Sequence, residues 1–357
     1  MRILYGVVGE GMGHATRSGV ILDHLTREHD VHVVVSGRAR DYLAQRFENV
    51  HKIWGLTIQY EGNSVRKLGT LLENVKGAVK GFPENIRAYF DLVDEFKPDV
   101  VVSDFESFSY LYAKNHMLPC ISVDNMQIIN RAKHAPELLA GHEKEFELTK
   151  RIVKAKLPGC FHYLVATFFY PELRKDRTTL LPSILRPEVL AAKSEAGEHL
   201  LVYQTSTTNT ELMNALKASG LPCKVYGVRR GIKADEVDAN LTFRPFSEQG
   251  FIDDLRTSRA VVAGGGYTLM SEAVYLHKPL LSLPVQGQFE QTLNALYLQQ
   301  LGYGHHAEVL DKKTLDAFLA DVPRCAVALK GYSQDGNKLM LAALDEQIAA
   351  AVAERRK

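Results

Sequence analysis

Apolar residues in the first third of the chain come in short unbroken runs, ILYGVV, VHVVVS and DVVVSD, with PCISVD close behind. Runs of this length, rich in Val and Ile, predict strands buried on both faces. Between them the apolar positions switch to helical spacing, in ATRSGVILDHLTRE and FPENIRAYFDLVDEF. That alternation predicts a parallel sheet covered by helices on both sides. The stretch from Gln127 to Arg174 is charged and reads as mostly helical. In TTLLPSILRPEVL, Thr178 to Leu190, the periodicity lapses and two prolines appear, which predicts an interdomain linker.

The alternation then restarts. HLLVYQ, CKVYGV, NLTFRPF, AVVAGGG and PLLSLPV read as strands, with TELMNALKAS, EQGFIDDLRTS, YTLMSEAVYLH and QTLNALYLQQLG as helices between them. The expected class is α/β, with two Rossmann-like domains facing across a cleft lined by strand C-termini, where such folds bind ligands. The expected boundaries are residues 1–177, a linker at 178–190 and a second domain at 191–333. The final amphipathic helix, 334–357, is long enough to return to the first domain.

Composition narrows the function classes. With 357 residues, the chain suits two domains better than one core. A formal net charge of +1 offers no electrostatic case for nucleic acid. Cys120, Cys160, Cys223 and Cys325 are scattered without a CxxC pair, so neither a disulfide framework nor a zinc site is expected. The opening MRILYGVVG lacks a signal-peptide apolar region, and no apolar run approaches the roughly 18 residues of a membrane span. These features predict a soluble, cytoplasmic protein.

Candidate chemistry begins at GVVGEGMGHA, Gly6 to Ala15. A dinucleotide fingerprint would continue Gly9 and Gly11 with a third glycine where His14 stands, and would end the second strand on an acid where Ser36 and Gly37 stand. His14 therefore sits at a helix start on the sheet's C-terminal edge. The positive end of a helix favours the neutral imidazole, which can accept a proton near pH 7. Asp104, closing FKPDVVVSD, falls on the same edge, where a carboxylate could fix the imidazole tautomer. The alternatives are a capping histidine and a helix N-cap aspartate.

A second signal is AVVAGGGYTLMSEAVYLHKPLLSLPVQGQFEQTLNA. Gly264, Gly265 and Gly266 allow a backbone to approach a ligand, and the helix that follows offers N–H groups to a phosphate. Glu272 lies along that helix, in a position to take two ribose hydroxyls, and Glu290, Gln291 and Asn294 follow the next strand. A simple tight turn is the alternative for the glycines alone.

On these residues the chain resembles the nucleotide-sugar glycosyltransferases of GT-B fold. It looks closest to the group that contains the N-acetylglucosaminyltransferase of lipid-linked peptidoglycan synthesis. The resemblance rests on the turn Gly11 to His14 and the stretch Arg244 to Asn294. It implies an acceptor domain followed by a donor domain. By position, His14 would be the general base and Asp104 its orienting partner. Thr205, Ser206, Phe246, Gly264, Gly265, Gly266, Tyr267, Thr268, Glu272, Glu290 and Gln291 would contact the donor. Gly11, Gly13, Arg17, Asp124, Gln127 and Arg131 would contact the acceptor. The chain departs from the family at QTSTTN, where hydroxyls replace a glycine-rich turn, and at the Glu-Gln pair, which leaves the sugar open.

The implied reaction is an inverting, metal-independent transfer from a nucleotide-diphosphate sugar, UDP-linked by resemblance, to a hydroxyl of a glycan or lipid-linked acceptor. No cofactor and no metal are expected; Asp253 and Asp254 read as a solvated helix face, and His305 and His306 as poor joint ligands. Rival readings on the same architecture are a UDP-sugar 2-epimerase and a non-catalytic nucleotide-sugar binder. Lys67, Lys76, Lys80 and Arg87, and the run from Arg131 to Lys156, suggest a peripheral contact with the inner face of a membrane, with a solvated basic face as the alternative.

Overall fold

The computed structural model describes residues 1–355 apart from 10, 56–59, 62–63, 66–82, 84, 91, 205–209 and 230. It divides into two units: Met1–Gln59 with Arg66–Arg186 and Asp335–Lys357, and Tyr60–Val65 with Pro187–Gln334.

The first unit is built on strands β1 (Arg2–Val7), β2 (Asp30–Val35) and β3 (Val50–Lys52), followed by β6 (Val100–Asp104), β7 (Cys120–Asp124), β8 (His162–Thr167) and β9 (Thr178–Pro182). A two-stranded hairpin, β4 (Tyr60–Glu61) and β5 (Ser64–Val65), stands apart from this sheet. The seven strands lie in the order β3-β2-β1-β6-β7-β8-β9, and every pairing is parallel. Ile3, Leu4, Val33, Val34, Val100, Val101 and Ile121 are sealed on both faces, as the unbroken apolar runs require. The helix Met12–Leu25 turns Ala15, Ile21, Leu22 and Leu25 inward at helical spacing. Each buried Ile or Leu among them contributes about 1.5–3 kcal/mol.

The second unit repeats the plan with β10 (Leu200–Tyr203), β11 (Cys223–Tyr226), β12 (Glu236–Asp238), β13 (Leu241–Phe243), β14 (Ala260–Ala263), β15 (Leu280–Ser282) and β16 (Gly304–His306). Their order is β12-β13-β11-β10-β14-β15-β16, parallel except for the antiparallel edge strand β12. Its core gathers Leu200, Val202, Leu216, Val225, Phe243, Val262, Leu281, Phe318 and their neighbours. In each sheet the strand order reverses once beside the first strand: between β1 and β6 in one, and between β10 and β14 in the other. Open α/β sheets place ligands outside the strand C-termini at such a reversal.

Two expectations change. The segment 178–190 holds the boundary between the units, after Arg186, but it is not free of structure: Thr178–Pro182 completes the first sheet as β9, in register with Tyr163–Thr167, and Pro187–Ala191 is a short helix. Its prolines mislead because Pro182 closes an edge strand and Pro187 opens a helix, two places where a missing N–H is tolerated. The Gln127–Arg174 stretch contains the helices Ile128–Arg131 and Glu143–Lys156, but it ends on β8, whose apolar run is short.

The helix Lys338–Arg355 packs on β6, β7, β8 and β9 through Met340, Leu344, Ile348, Ala351 and Val352. Asn337, at φ 68°, starts it by pairing both amide atoms with the backbone of Leu185, accepting at 2.9 Å and donating at 2.8 Å. Among the described residues, no helix is long and apolar enough to cross a membrane.

Candidate active site

The turn after β1 is shaped by contact between backbones. A Cβ on Gly9 would lie 1.8 Å from the carbonyl oxygen of Ser36, so only glycine fits there. Gly11 then caps the helix Met12–Leu25 from extended backbone without a side-chain cap, and Gly13 lies in its first turn beside His14. His14 Nδ1 lies 2.9 Å from Asp104 Oδ1 at the end of β6. The carboxylate is fully buried, whereas 23% of the imidazole is exposed. Among the described residues Nε2 has no protein partner, so this nitrogen is the one available to a ligand.

Arg17, one turn beyond His14, is buried against the same carboxylate. Its Nε donates to Asp104 Oδ2 at 3.2 Å, its Nη2 to Oδ1 at 2.5 Å, and its Nη1 to Asn125 Oδ1 at 3.1 Å. Ser18 Oγ adds a bond to Oδ2 at 3.0 Å. Burial opposes the Asp104 charge, but Arg17 and His14 outweigh it and hold the carboxyl down at about 2. Asp124, equally buried at the end of β7, is pushed up by its burial and by the Asp104 charge. Two buried carboxyls beside one guanidinium thus divide: Asp104 takes the ionic role.

The expected acceptor residues separate. Arg17 faces inward onto Asp104. Asp124 accepts from Ser122 Oγ at 2.6 Å and from the Gln127 backbone N–H at 2.8 Å, so it closes its own turn. Gln127 is buried, and among the described residues neither atom of its side-chain amide has a hydrogen-bond partner. A buried amide left unpaired is costly, and it marks a place where a further polar group is wanted. Arg131 does not reach this edge. Its guanidinium lies 3.6 Å over the Tyr163 ring and bonds Thr178 and the Asp176 carbonyl, at the start of β8 and β9. The short helix Ile128–Arg131 carries it away from the strand C-termini.

In the second unit the turn after β14 is a packed junction. A Cβ on Gly265 would come within 2.4 Å of the Gln291 carbonyl oxygen, whereas one on Gly266 would meet nothing within 4 Å. Gly264 lies between these extremes, with Gln291 Oε1 3.5 Å from its would-be Cβ. Gly266 caps the helix Tyr267–Tyr275 without a side-chain bond. Tyr267 and Glu272 are buried on that helix, and Thr268 is half-buried, its carbonyl accepting from Ser271 Oγ.

Gln291 is tied to the turn: its Oε1 accepts from Gly265 N–H at 3.2 Å and Val285 N–H at 3.0 Å. Asn294 Nδ2 donates to the Gly265 carbonyl at 3.2 Å and to Glu290 Oε1 at 2.7 Å. The Gln291 amide is thus a brace for the glycine turn. Phe246, on the loop after β13, is 79% exposed. Thr205 and Ser206, with Lys67, Lys76 and Lys80, lie outside the described residues.

Sequence reasoning missed three partnerships. Arg17 and Ser18 were legible only as the helical spacing that puts them on the His14 side. Asp254 is not solvated: it is buried, pairing with Lys224 at 2.5 Å and Arg244 at 3.2 Å and accepting from Tyr226 at 2.6 Å. His305 meets Asp321 at 2.7 Å, with Cys325 Sγ 3.7 Å from the same carboxylate oxygen. Arg324 already brackets that carboxylate, at 2.7 and 2.5 Å. On the helix Glu143–Lys156, Leu148 and Ile152 are exposed between basic residues, and Lys150 pairs with Glu147 at 2.7 Å.

Known proteins share this architecture. An "uncharacterized glycosyltransferase" of Methanosarcina mazei is 24% identical over 335 residues, covering 85% of each chain. One of Methanosarcina acetivorans is 26% identical over 344 residues, again covering 85% of each. The MurG structure of Acinetobacter baumannii superposes with a TM-score of 0.60 at 14% identity, over 97% of this chain and 99% of that one. UGT2 of Phytolacca americana, solved with UDP-2fluoro-glucose and pterostilbene, gives 0.66 at 13% identity over 98% of each. These likenesses identify the fold as GT-B. The family model for glycosyl transferase family 1 matches residues 1–323, and the chain belongs to that family of enzymes.

Proposed function

We propose that this glycosyltransferase moves a sugar from a nucleoside-diphosphate donor, most simply a UDP-sugar, to an acceptor hydroxyl with inversion. The observation that carries the reading is the buried Asp104 carboxylate 2.9 Å from Nδ1 of a partly exposed His14, at the C-terminal ends of adjacent parallel strands. With its proton on Nδ1, His14 presents the Nε2 lone pair outward. Nε2 takes the acceptor hydroxyl's proton while that oxygen bonds to the anomeric carbon. The bond from that carbon to the diphosphate oxygen breaks, and its electron pair leaves on the nucleoside diphosphate. Asp104 stabilises the imidazolium formed in this step.

Donor contacts fall to the second unit. The helix Tyr267–Tyr275 starts at Gly266 with no side-chain cap bond, and its positive end suits the charge that develops on a leaving diphosphate, supplying stabilisation without a divalent ion. Exposed Phe246 offers a face for a nucleobase, Glu272 takes the ribose, and Glu290 contacts the sugar. The UDP-sugar bound by the Phytolacca enzyme supports a UDP-linked donor. On the acceptor side, Gln127 is the strongest of the expected contacts, because its buried amide lacks partners among the described residues. A glycan or a lipid-linked sugar supplies the hydroxyl such a base requires.

The test is transfer from a panel of UDP-, GDP-, CMP- and dTDP-sugars in EDTA, with the His14→Ala protein beside the wild type. Wild type is expected to turn over one donor class in EDTA. His14→Ala should lose about 10²–10⁴ in turnover while keeping nucleotide affinity. Near-normal turnover by a folded His14→Ala protein refutes the base assignment. A change at the sugar's C2 without any acceptor identifies an epimerase instead.

A further inference from the structure

We infer that Arg17 is a positioning residue for the His14–Asp104 pair, orienting the carboxylate and sharing with it the Nδ1 atom of His14. The inference rests on the base assignment above and goes beyond it.

Arg17 follows His14 by three residues on one helix, so the two side chains rise from the same face. Only 3% of Arg17 is exposed, and a guanidinium buried to that degree must be paired. Its pairing is two-pronged: Nε reaches Oδ2 and Nη2 reaches Oδ1, which fixes the plane of the carboxylate. Ser18 adds a second bond on Oδ2. Oδ1 is the oxygen shared between Arg17 and His14, so the direction in which Asp104 meets the imidazole is set by the guanidinium.

A third contact gives Arg17 a more direct hold. Nη2 lies 2.7 Å from His14 Nδ1, which is itself 2.9 Å from Asp104 Oδ1. A guanidinium nitrogen only donates and a carboxylate only accepts. Nδ1 can therefore satisfy one of them at a time. Giving its proton to Asp104 leaves Nε2 basic; accepting from Arg17 moves the ring proton to Nε2 and leaves no base. Among the described residues, the other ionisable groups around this triangle are Asp124 on β7 and Tyr5 on β1, whose hydroxyl is 3.4 Å from Ser18 Oγ. Arg17 is the cation that both acids sense.

This role excludes the acceptor contact that the sequence suggested for Arg17. Its Nε and Nη2 are held by Asp104 and its Nη1 by Asn125. The two roles also differ in kinetics. A positioning residue acts on the chemical step, whereas an acceptor contact common to ground and transition states acts on KM.

The experiment compares Arg17→Lys and Arg17→Met with wild type and His14→Ala in the same transfer assay, with ¹⁵N NMR of the His14 ring. Arg17→Met is expected to lower kcat by about ten- to a hundredfold, by analogy with the loss on removing a hydrogen-bonding partner that orients a metal-ligating histidine. The acceptor KM should stay within about twofold of wild type. The Nδ1 resonance should move toward the protonated type, because Asp104 alone then faces that atom; the basic tautomer is thus kept, and the fall in kcat reads the lost two-pronged hold on the carboxylate plane. Arg17→Lys keeps the charge and one donor direction and should recover part of kcat; it also decides the matter if the Met variant does not fold. Unchanged kcat, a loss confined to acceptor KM, or an unmoved Nδ1 resonance would overturn the inference. His14→Ala separates the two ideas. If its turnover is normal, the base assignment itself is wrong; if it is inactive while the Arg17 variants behave as wild type, only the role of Arg17 falls.

Discussion

The turns after β1 and β14 begin alike, each a glycine-studded strand end that opens a helix without a side-chain cap, yet they gather different groups. After β1 the helix brings charged side chains inward: His14 and Arg17 converge with Ser18 on Asp104. After β14 the groups gathered at the turn are backbone. Gly265 is wedged against Gln291, and Gln291 and Asn294 bond its N–H and carbonyl. The first arrangement suits moving a proton, which needs a titratable group with a fixed partner. The second suits holding a diphosphate, which needs several fixed dipoles and no titration. One scaffold can carry both because its strand C-termini present whatever the next helix turn carries.

The strongest test of that contrast is to break the charged network. Asp104→Ala leaves Arg17 buried without its carboxylate, and loss of one partner of a buried pair costs about 3–5 kcal/mol. Urea unfolding at pH 7 measures it; a loss below about 1 kcal/mol would mean the guanidinium escapes to solvent. The pair also has an acid signature. Because the folded state holds Asp104 at about 2, below its ordinary 3.8, the ionised form stabilises the fold above pH 3.8. That stability, about 2 kcal/mol, disappears as the pH falls toward 2. Asp104→Asn should flatten this part of the stability–pH curve.

The nucleotide side is tested by Glu272→Ala. Loss of a charge-assisted hydrogen bond to ribose should weaken nucleotide binding by about 1–3 kcal/mol in a protein that still folds. Calorimetric titration reads it directly, and unchanged affinity would remove Glu272 from the donor site.

The finest test lies within one loop. Gly265→Ala drives a methyl into the Gln291 backbone and should destabilise by about 1–3 kcal/mol, as overpacking does. Gly266→Ala points into open space and should change stability by no more than about 0.5 kcal/mol. If the open side of Gly266 receives the diphosphate, nucleotide affinity should fall in Gly266→Ala although its melting temperature does not. Equal melting losses in the two variants would show that the turn is braced otherwise than through Gln291.

The fold class was readable from the chain because it depends on local periodicity. Unbroken Val and Ile runs separated by amphipathic helices have few other ways to be buried, and β1, β2, β6, β10 and β14 all lie within such runs. His14 and Asp104 could be paired in advance because parallel strands bring their C-terminal ends to a common edge. Where local pattern was ambiguous, tertiary context decided. Thr178–Pro182 became a strand because the edge of the first sheet had room for one more, and Asp254 turned inward because Lys224, Arg244 and Tyr226 wait there for a carboxylate. Arg131 left the site because the Tyr163 ring, from a strand hidden in a stretch that reads as helical, offers its guanidinium a face to cover. The inward turn of Arg17 depends on Asp104, 87 residues away, and on Asn125, 108 away. Spacing along a helix states which side chains share a face; which of them are drawn into the interior depends on charges supplied by distant strands, and only the folded chain brings those within reach.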